Sequence, residues 1–283
     1  MSLVAIFGAG EIGGAAARVL AARARIDVVR LIDEKADVAV GKAIDLSQAA
    51  PIIGSDANIQ GSQDYSASAG AVAIVLADPA GQPGAEWAGD TALTLLRQLN
   101  RSGLFQQSVL ICAGASQRPL MQQALDELGL ARRRVLGSAP DSLAAVARAL
   151  VAIEANTSAA QVMLTVMGRP PDKMVIPWSE ASIGGNSVTS MLTATQLRRV
   201  EARLRGLWPP GAGALGAAAA LMAEAVATGS RRLFSAFVSL DRDNGTKAPV
   251  CAWPVSIGPA GVERVASPAL TGRDRVVIDE VLE

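Results

Sequence analysis

Apolar positions fall into short unbroken runs separated by longer stretches of mixed polarity. Leu3 to Phe7 and Ala71 to Ala77 are unbroken apolar runs of strand length, as in strands covered on both faces, and Asp27 to Asp33 and Ser108 to Ala113 are predicted strands with largely apolar interiors. Shorter strands are predicted at Ala57 to Gln60 and Arg134 to Leu136. Between them lie helix-like segments: an alanine-rich run to Ala24, Gly41 to Ala50 closed by Pro51, about Glu86 to Ser102, and Pro119 to Leu128. From Ser138 the pattern changes. Helices are predicted at Ser142 to Asn156, Thr195 to Leu207 and Ala214 to Thr228. Strands are predicted at Val162 to Met167, Met174 to Trp178, Leu233 to Leu240 and Val250 to Ile257, the last two joined by a turn at 241–246. Strand and helix alternate through the first half and mix in the second. This predicts an α/β fold: a Rossmann-type doubly wound parallel sheet over residues 1–138, then an α+β domain over 139–283.

The first strand runs into Gly8-Ala9-Gly10-Glu11-Ile12-Gly13, which opens a helix, and the next strand ends on Asp33, twenty residues beyond Gly13. Glycines there allow a tight turn and close approach of backbone to a pyrophosphate, whose charge suits a helix N-terminus. An acid at the end of the second strand is placed to accept from a ribose hydroxyl. Gly8, Gly10, Glu11, Ile12, Gly13 and Asp33 therefore form a candidate dinucleotide site. Asp78 to Gly84 is a loop at the carboxyl end of a strand, where such sheets bind ligands.

Composition removes other classes. Lys plus Arg and Asp plus Glu are equal at 26 each, which gives no electrostatic case for nucleic acid or an anionic membrane. The longest apolar run, Ala217 to Ala227, is interrupted by Glu224 and is too short to span a bilayer. The N-terminal apolar residues read as a strand rather than a leader, so a cytoplasmic protein is expected. Cys112 and Cys251 have no metal-ligand spacing and read as buried thiols. The chain contains no histidine, which excludes any chemistry that needs imidazole.

Seven segments in register then carry a resemblance: VAIFGAGEIGG, LIDEK, GKAIDLSQAAP, DYSASAGAVAIVLA, RVLGSAPDS, VMGRPPDKMVIPWS and PVSIGPAGVERV. The chain resembles the NAD-dependent malate and lactate dehydrogenases over nearly its whole length. That resemblance implies NAD as cofactor, a 2-hydroxy acid as substrate and pairing of subunits through the helix at 41–50. A homodimer or homotetramer is expected, with Ala43, Ala49 and Ala50 permitting close helix approach.

The family's substrate groups do not carry over. Its acid/base histidine falls on Pro170, in a Pro170-Pro171 pair without titratable group or backbone N–H. Asp141 matches the aspartate that orients that histidine, and reads equally well as a first-turn helix acid. The substrate arginines fall near Ala144 and at Gly81 and Trp87, and the asparagine at Gly114. A methyl group cannot replace a bidentate fork, and Arg148 is one helical turn away. Asp172 and Lys173 are the remaining candidates for proton transfer, though they read as well as solvated loop charges. Trp87, Pro170 and Ser179 are expected to line a substrate space. Three readings follow: an NAD-dependent oxidoreductase with an altered substrate, inactive on malate or lactate; a non-catalytic NAD-binding sensor; and a structural pseudoenzyme.

Overall fold

The computed structural model describes residues 2–82, 84–241 and 247–283, with backbone alone at 241, 247 and 248. The elements are β1 (Leu3–Phe7), α1 (Glu11–Arg23), β2 (Val28–Ile32), α2 (Ala36–Ile53), β3 (Asn58–Ser62), β4 (Ala73–Leu76), α3 (Gly89–Arg101), β5 (Val109–Cys112), α4 (Arg118–Glu127) and β6 (Val135–Gly137). There follow α5 (Ala139–Ala155), β7 (Val162–Met163), β8 (Met167–Arg169), β9 (Lys173–Val175), β10 (Ser182–Ile183), β11 (Asn186–Ser187), α6 (Val188–Met191), α7 (Ala194–Arg205) and α8 (Ala212–Thr228). The chain closes with β12 (Leu233–Asp241), β13 (Lys247–Gly258), β14 (Gly261–Val265) and α9 (Gly272–Leu282).

The first six strands form a parallel array in the order β3-β2-β1-β4-β5-β6. Strand order reverses between β1 and β4, and the crevice outside their carboxyl ends is where doubly wound sheets take ligands. The same sheet continues antiparallel through β12, β13, β8 and β9, with β14 on β13. It joins the two halves of the chain where Phe237 pairs with Gly137.

One hydrophobic core draws on both halves. It includes Ile6, Leu31, Ile74, Leu96 and Ile111 with Leu215, Met222, Phe234 and Phe237. A second core gathers Leu143, Ala147, Ile176, Ile183, Val200 and Leu204 around α5 and α7. Helix α8 packs along α1, and Glu224 fastens the pair at one end by accepting from Arg23 Nε at 2.5 Å and Arg25 Nη1 at 3.4 Å. The Arg23 hydrogen bond holds the Glu224 carboxyl below its usual range against the opposing effect of burial.

Several boundaries differ from the sequence expectation. The helix predicted at 41–50 begins at Ala36 and carries Pro51 inside its last turn, ending at Gly54 in the left-handed conformation. A proline near a helix end removes only one late hydrogen bond, so it does not stop the helix. Helix α3 starts at Gly89 rather than Glu86, because Glu86 and Trp87 are committed to loop contacts described below. The strand predicted over Val162 to Met167 is two strands in different sheets, β7 and β8. The turn at 242–246 lies outside the described residues.

Ala43 and Ala50, expected to face a partner helix, are 3% and 7% exposed and pack inward, while Val40, Ile44, Ile52 and Ile53 face outward. Cys112 and Cys251 are buried as expected, and burial pushes their thiols up to about 12 and about 11. Among the described residues, no helix is long and apolar enough to cross a membrane.

Candidate functional site

The register Phe7↔Leu76 sets the glycine turn after β1 against the residues after β4. Gly8 has φ +107°, and a Cβ there would overlap the Asp78 backbone. A Cβ at Gly13 would overlap the Gly8 carbonyl. These glycines are required by the packing of the turn itself.

Asp78, 4% exposed, holds the start of α1. Its Oδ2 accepts from Glu11 N at 2.7 Å and Ile12 N at 3.2 Å, its Oδ1 accepts from Gly13 N at 2.9 Å, and its backbone carbonyl accepts from Gly10 N at 3.0 Å. A helix leaves its first N–H groups without intrahelical partners. Here each of the four from Gly10 to Gly13 is bonded to Asp78.

Asp33 is similarly engaged at 3% exposure. Its Oδ2 accepts from Ala9 N at 2.7 Å and Ala80 N at 2.9 Å, and its Oδ1 from Lys35 N at 2.9 Å. The acid thereby ties together the ends of β1, β2 and β4. Lys42 donates to the Gly10 carbonyl at 2.6 Å, and the Lys35 ammonium lies against Gly81. Beside Glu34, a cavity of about 690 Å³ is lined by Tyr65, Ser66, Gln98, Leu99 and Leu104.

The next loop is closed by a third carboxylate. Glu86 accepts from Ala115 N and Ser116 N, both at 2.8 Å, and fills the space a side chain at Gly114 would need. Gln117, fully buried, donates to the carbonyls of Ala77 and Trp87, both at 3.1 Å. Trp87 is 8% exposed within the core, and its indole nitrogen is buried without a partner. An aromatic placed in this way packs the loop against the core.

Asp141 sits in the first turn of α5, buried, with Oδ2 accepting from Arg232 Nη2 at 2.9 Å and Oδ1 from Ser235 N at 3.2 Å. Burial pushes its carboxyl up, and the nearby Arg232 and Arg148 guanidinium groups pull it down. Pro170, Pro171 and Asp172 form the turn between β8 and β9, with a cis bond between the prolines. Lys173 pairs with Glu280 of α9 at 3.0 Å, and Ser179 donates to the Ala269 carbonyl at 3.1 Å. The fold thus gathers Gly8, Gly10, Glu11, Ile12, Gly13 and Asp33 into one crevice and ties Lys173 and Ser179 to the C-terminal segment instead. Sequence reasoning did not identify Asp78, Glu86 or Arg232. An acid directly after a strand that neighbours the glycine turn is the signal that marks Asp78.

The crevice tests the fit of a dinucleotide. The glycine turn and the buried acid after β2 suit a dinucleotide, and the first-turn amides of α1 that a pyrophosphate would take are held here by Asp78.

Comparison with known proteins places these features. Residues 2–117 match the profile of the lactate/malate dehydrogenase NAD binding domain. The malate dehydrogenase of Thermomicrobium roseum is 30% identical over 290 residues, covering 97% of this chain and 93% of the relative. That of Rhodopirellula baltica is 30% identical over 288 residues, covering 96% and 91%. Among solved structures, the malate dehydrogenase from Salinibacter ruber superposes with a TM-score of 0.85 at 23% identity, covering 99% of this chain and 93% of the other. The lactate dehydrogenase from Cryptosporidium parvum complexed with lactic acid and β-nicotinamide adenine dinucleotide gives a TM-score of 0.85 at 24% identity, covering 99% and 94%.

Proposed function

Because the chain belongs to the lactate/malate dehydrogenase family, we propose that it retains nicotinamide dinucleotide binding and has lost oxidation of malate and lactate. The observation that carries this reading is the state of Asp141. Oxidising a 2-hydroxy acid moves a hydride to the nicotinamide and a proton from the hydroxyl to a protein base. The family's base falls on Pro170, which has no titratable group, and the Asp141 carboxylate is committed to Arg232 and Ser235. Ala144, at 1% exposed, offers no fork for a substrate carboxylate. Lys173 and Asp172 do not replace the base in this reading, since Lys173 is turned to Glu280 on α9.

Dinucleotide binding is supported by the glycine turn, the buried acid after β2, and the cavity beside Glu34, whose size is that of a small-molecule site. The closure of the loop after β5 by Glu86, which fills the space beside Gly114, favours a binding or sensing role over turnover of a new substrate. Assembly is proposed through α2, whose exposed Val40 and Ile44 lie one turn apart and offer apolar surface on which a second copy would pack in a homodimer or homotetramer.

The test is a dehydrogenase assay on the purified full chain with malate and with lactate, using NAD and then NADP. Turnover is expected to be at least about 10⁴-fold below that of a working dehydrogenase, the upper range of what general acid–base catalysis contributes. Saturable turnover of either acid would overturn the reading.

A further inference from the structure

We propose that Asp78 is a resident competitor for the diphosphate of the nucleotide: its carboxylate occupies the anion seat on α1, and a dinucleotide enters only when that side chain swings out. The proposal rests on the dinucleotide reading above and concerns what limits binding there.

Anions are held at helix N-termini by the free amides of the first turn. In this chain every amide from Gly10 to Gly13 is bonded to Asp78, and the three on its carboxylate lie at 2.7 to 3.2 Å. The position is also filled sterically, because a Cβ on Gly10 would run into the Asp78 carboxylate. The face that Gly10 would open to a ligand is therefore covered by the chain itself. A diphosphate and this carboxylate would compete for the same donors with the same sign of charge, so they cannot share the seat.

A purely structural helix cap needs no residue from so far away. The local N-cap, Gly10, has no side chain, and the capping carboxylate comes from 65 to 67 positions downstream, just after β4, which pairs with β1. The backbone around Asp78 is fixed on both sides, with Ala77 N donating to the Phe7 carbonyl and Ala80 N to Asp33. The side chain is thus the part that can move. A tethered carboxylate acts at a high effective concentration, which lowers the apparent affinity of any free anion for the seat.

The experiment compares the full-length wild type with Asp78→Gly and Asp78→Asn. Calorimetric titration with NAD, and separately with inorganic pyrophosphate, is combined with thermal unfolding of each protein. Asp78→Gly frees the amides; Asp78→Asn keeps the size of the side chain but turns one acceptor into a donor facing other donors, and guards against a glycine variant that fails to fold.

Both variants are expected to bind NAD at least tenfold more tightly than wild type and to gain pyrophosphate binding. Both are expected to unfold at a lower temperature without ligand and to recover when NAD is added. If the wild type binds NAD and the variants bind no tighter, Asp78 is no competitor and the dinucleotide reading survives. If the wild type fails to bind while the variants bind, the competition is upheld and the dinucleotide reading fails for the native chain. If no protein binds NAD or pyrophosphate, both are overturned.

Discussion

Asp33→Ala is expected to lower the stability of the nucleotide-free protein by about 3 kcal/mol, because three backbone amides lose their acceptor and each buried unsatisfied group costs about 1–3 kcal/mol. The upper end of that sum is not reached, since loops of this kind admit water when a carboxylate is removed. The three donors belong to three segments that this acid joins: Ala9 in the glycine turn, Lys35 at the start of α2, and Ala80 after β4. Loss of the latch loosens the rim of the crevice, which Asp78 continues to hold at α1. Denaturant unfolding without nucleotide gives the value, and Asp33→Asn, which keeps one carbonyl oxygen, is expected to fall between wild type and alanine. Unchanged stability in Asp33→Ala, with weakened NAD binding alone, would mean that the acid serves the ligand and not the fold.

The second large effect is expected at the contact of α1 with α8. A Cβ at Gly216 would meet the Ile12 carbonyl, the Ala15 Cβ and the Ala16 backbone nitrogen, two of them backbone atoms that cannot turn aside. Gly216→Ala must therefore push the helices apart, and overpacking of a tight contact costs about 1–3 kcal/mol. The damage should spread to the candidate site, because Ile12 and Gly13 on α1 carry two of the amides held by Asp78. Gly213→Ala is the matched control. It lies in the same helix with nothing near its Cβ position, and is expected to be neutral or stabilising by about 0.5 kcal/mol. Equal unfolding midpoints for the two variants would contradict the close packing described here.

Much of this architecture was legible in the chain because its signals are local. Continuous apolar runs such as Leu3 to Phe7 mark buried strands, and glycines before an alanine-rich segment mark the turn into α1. The crevice residues from Gly8 to Gly13 and Asp33 were legible for the same reason, since they belong to one βαβ unit. What escaped is set by pairing between distant segments. Asp78 reaches α1 only because β4 lies beside β1, and Arg232 reaches Asp141 across 91 positions of sequence. Val162 to Met167 read as one strand because apolarity says nothing about which sheet each end joins. Trp87 read as lining a substrate space because it stands where the resembled family has a substrate arginine, and sequence position does not show that its ring packs into the core.

The local and distant features together describe a crevice whose frame is that of a dehydrogenase and whose donors are satisfied from within. Asp33 and Asp78 tie the ends of β1, β2 and β4 to the start of α1.

The most direct test follows NADH fluorescence as the full chain is titrated into it, with oxaloacetate and then pyruvate added to the same sample. The expected result is a saturable change on binding and no loss of NADH after either keto acid is added. Consumption of NADH, or the absence of any binding signal, would contradict the reading of a retained dinucleotide crevice without 2-hydroxy-acid chemistry.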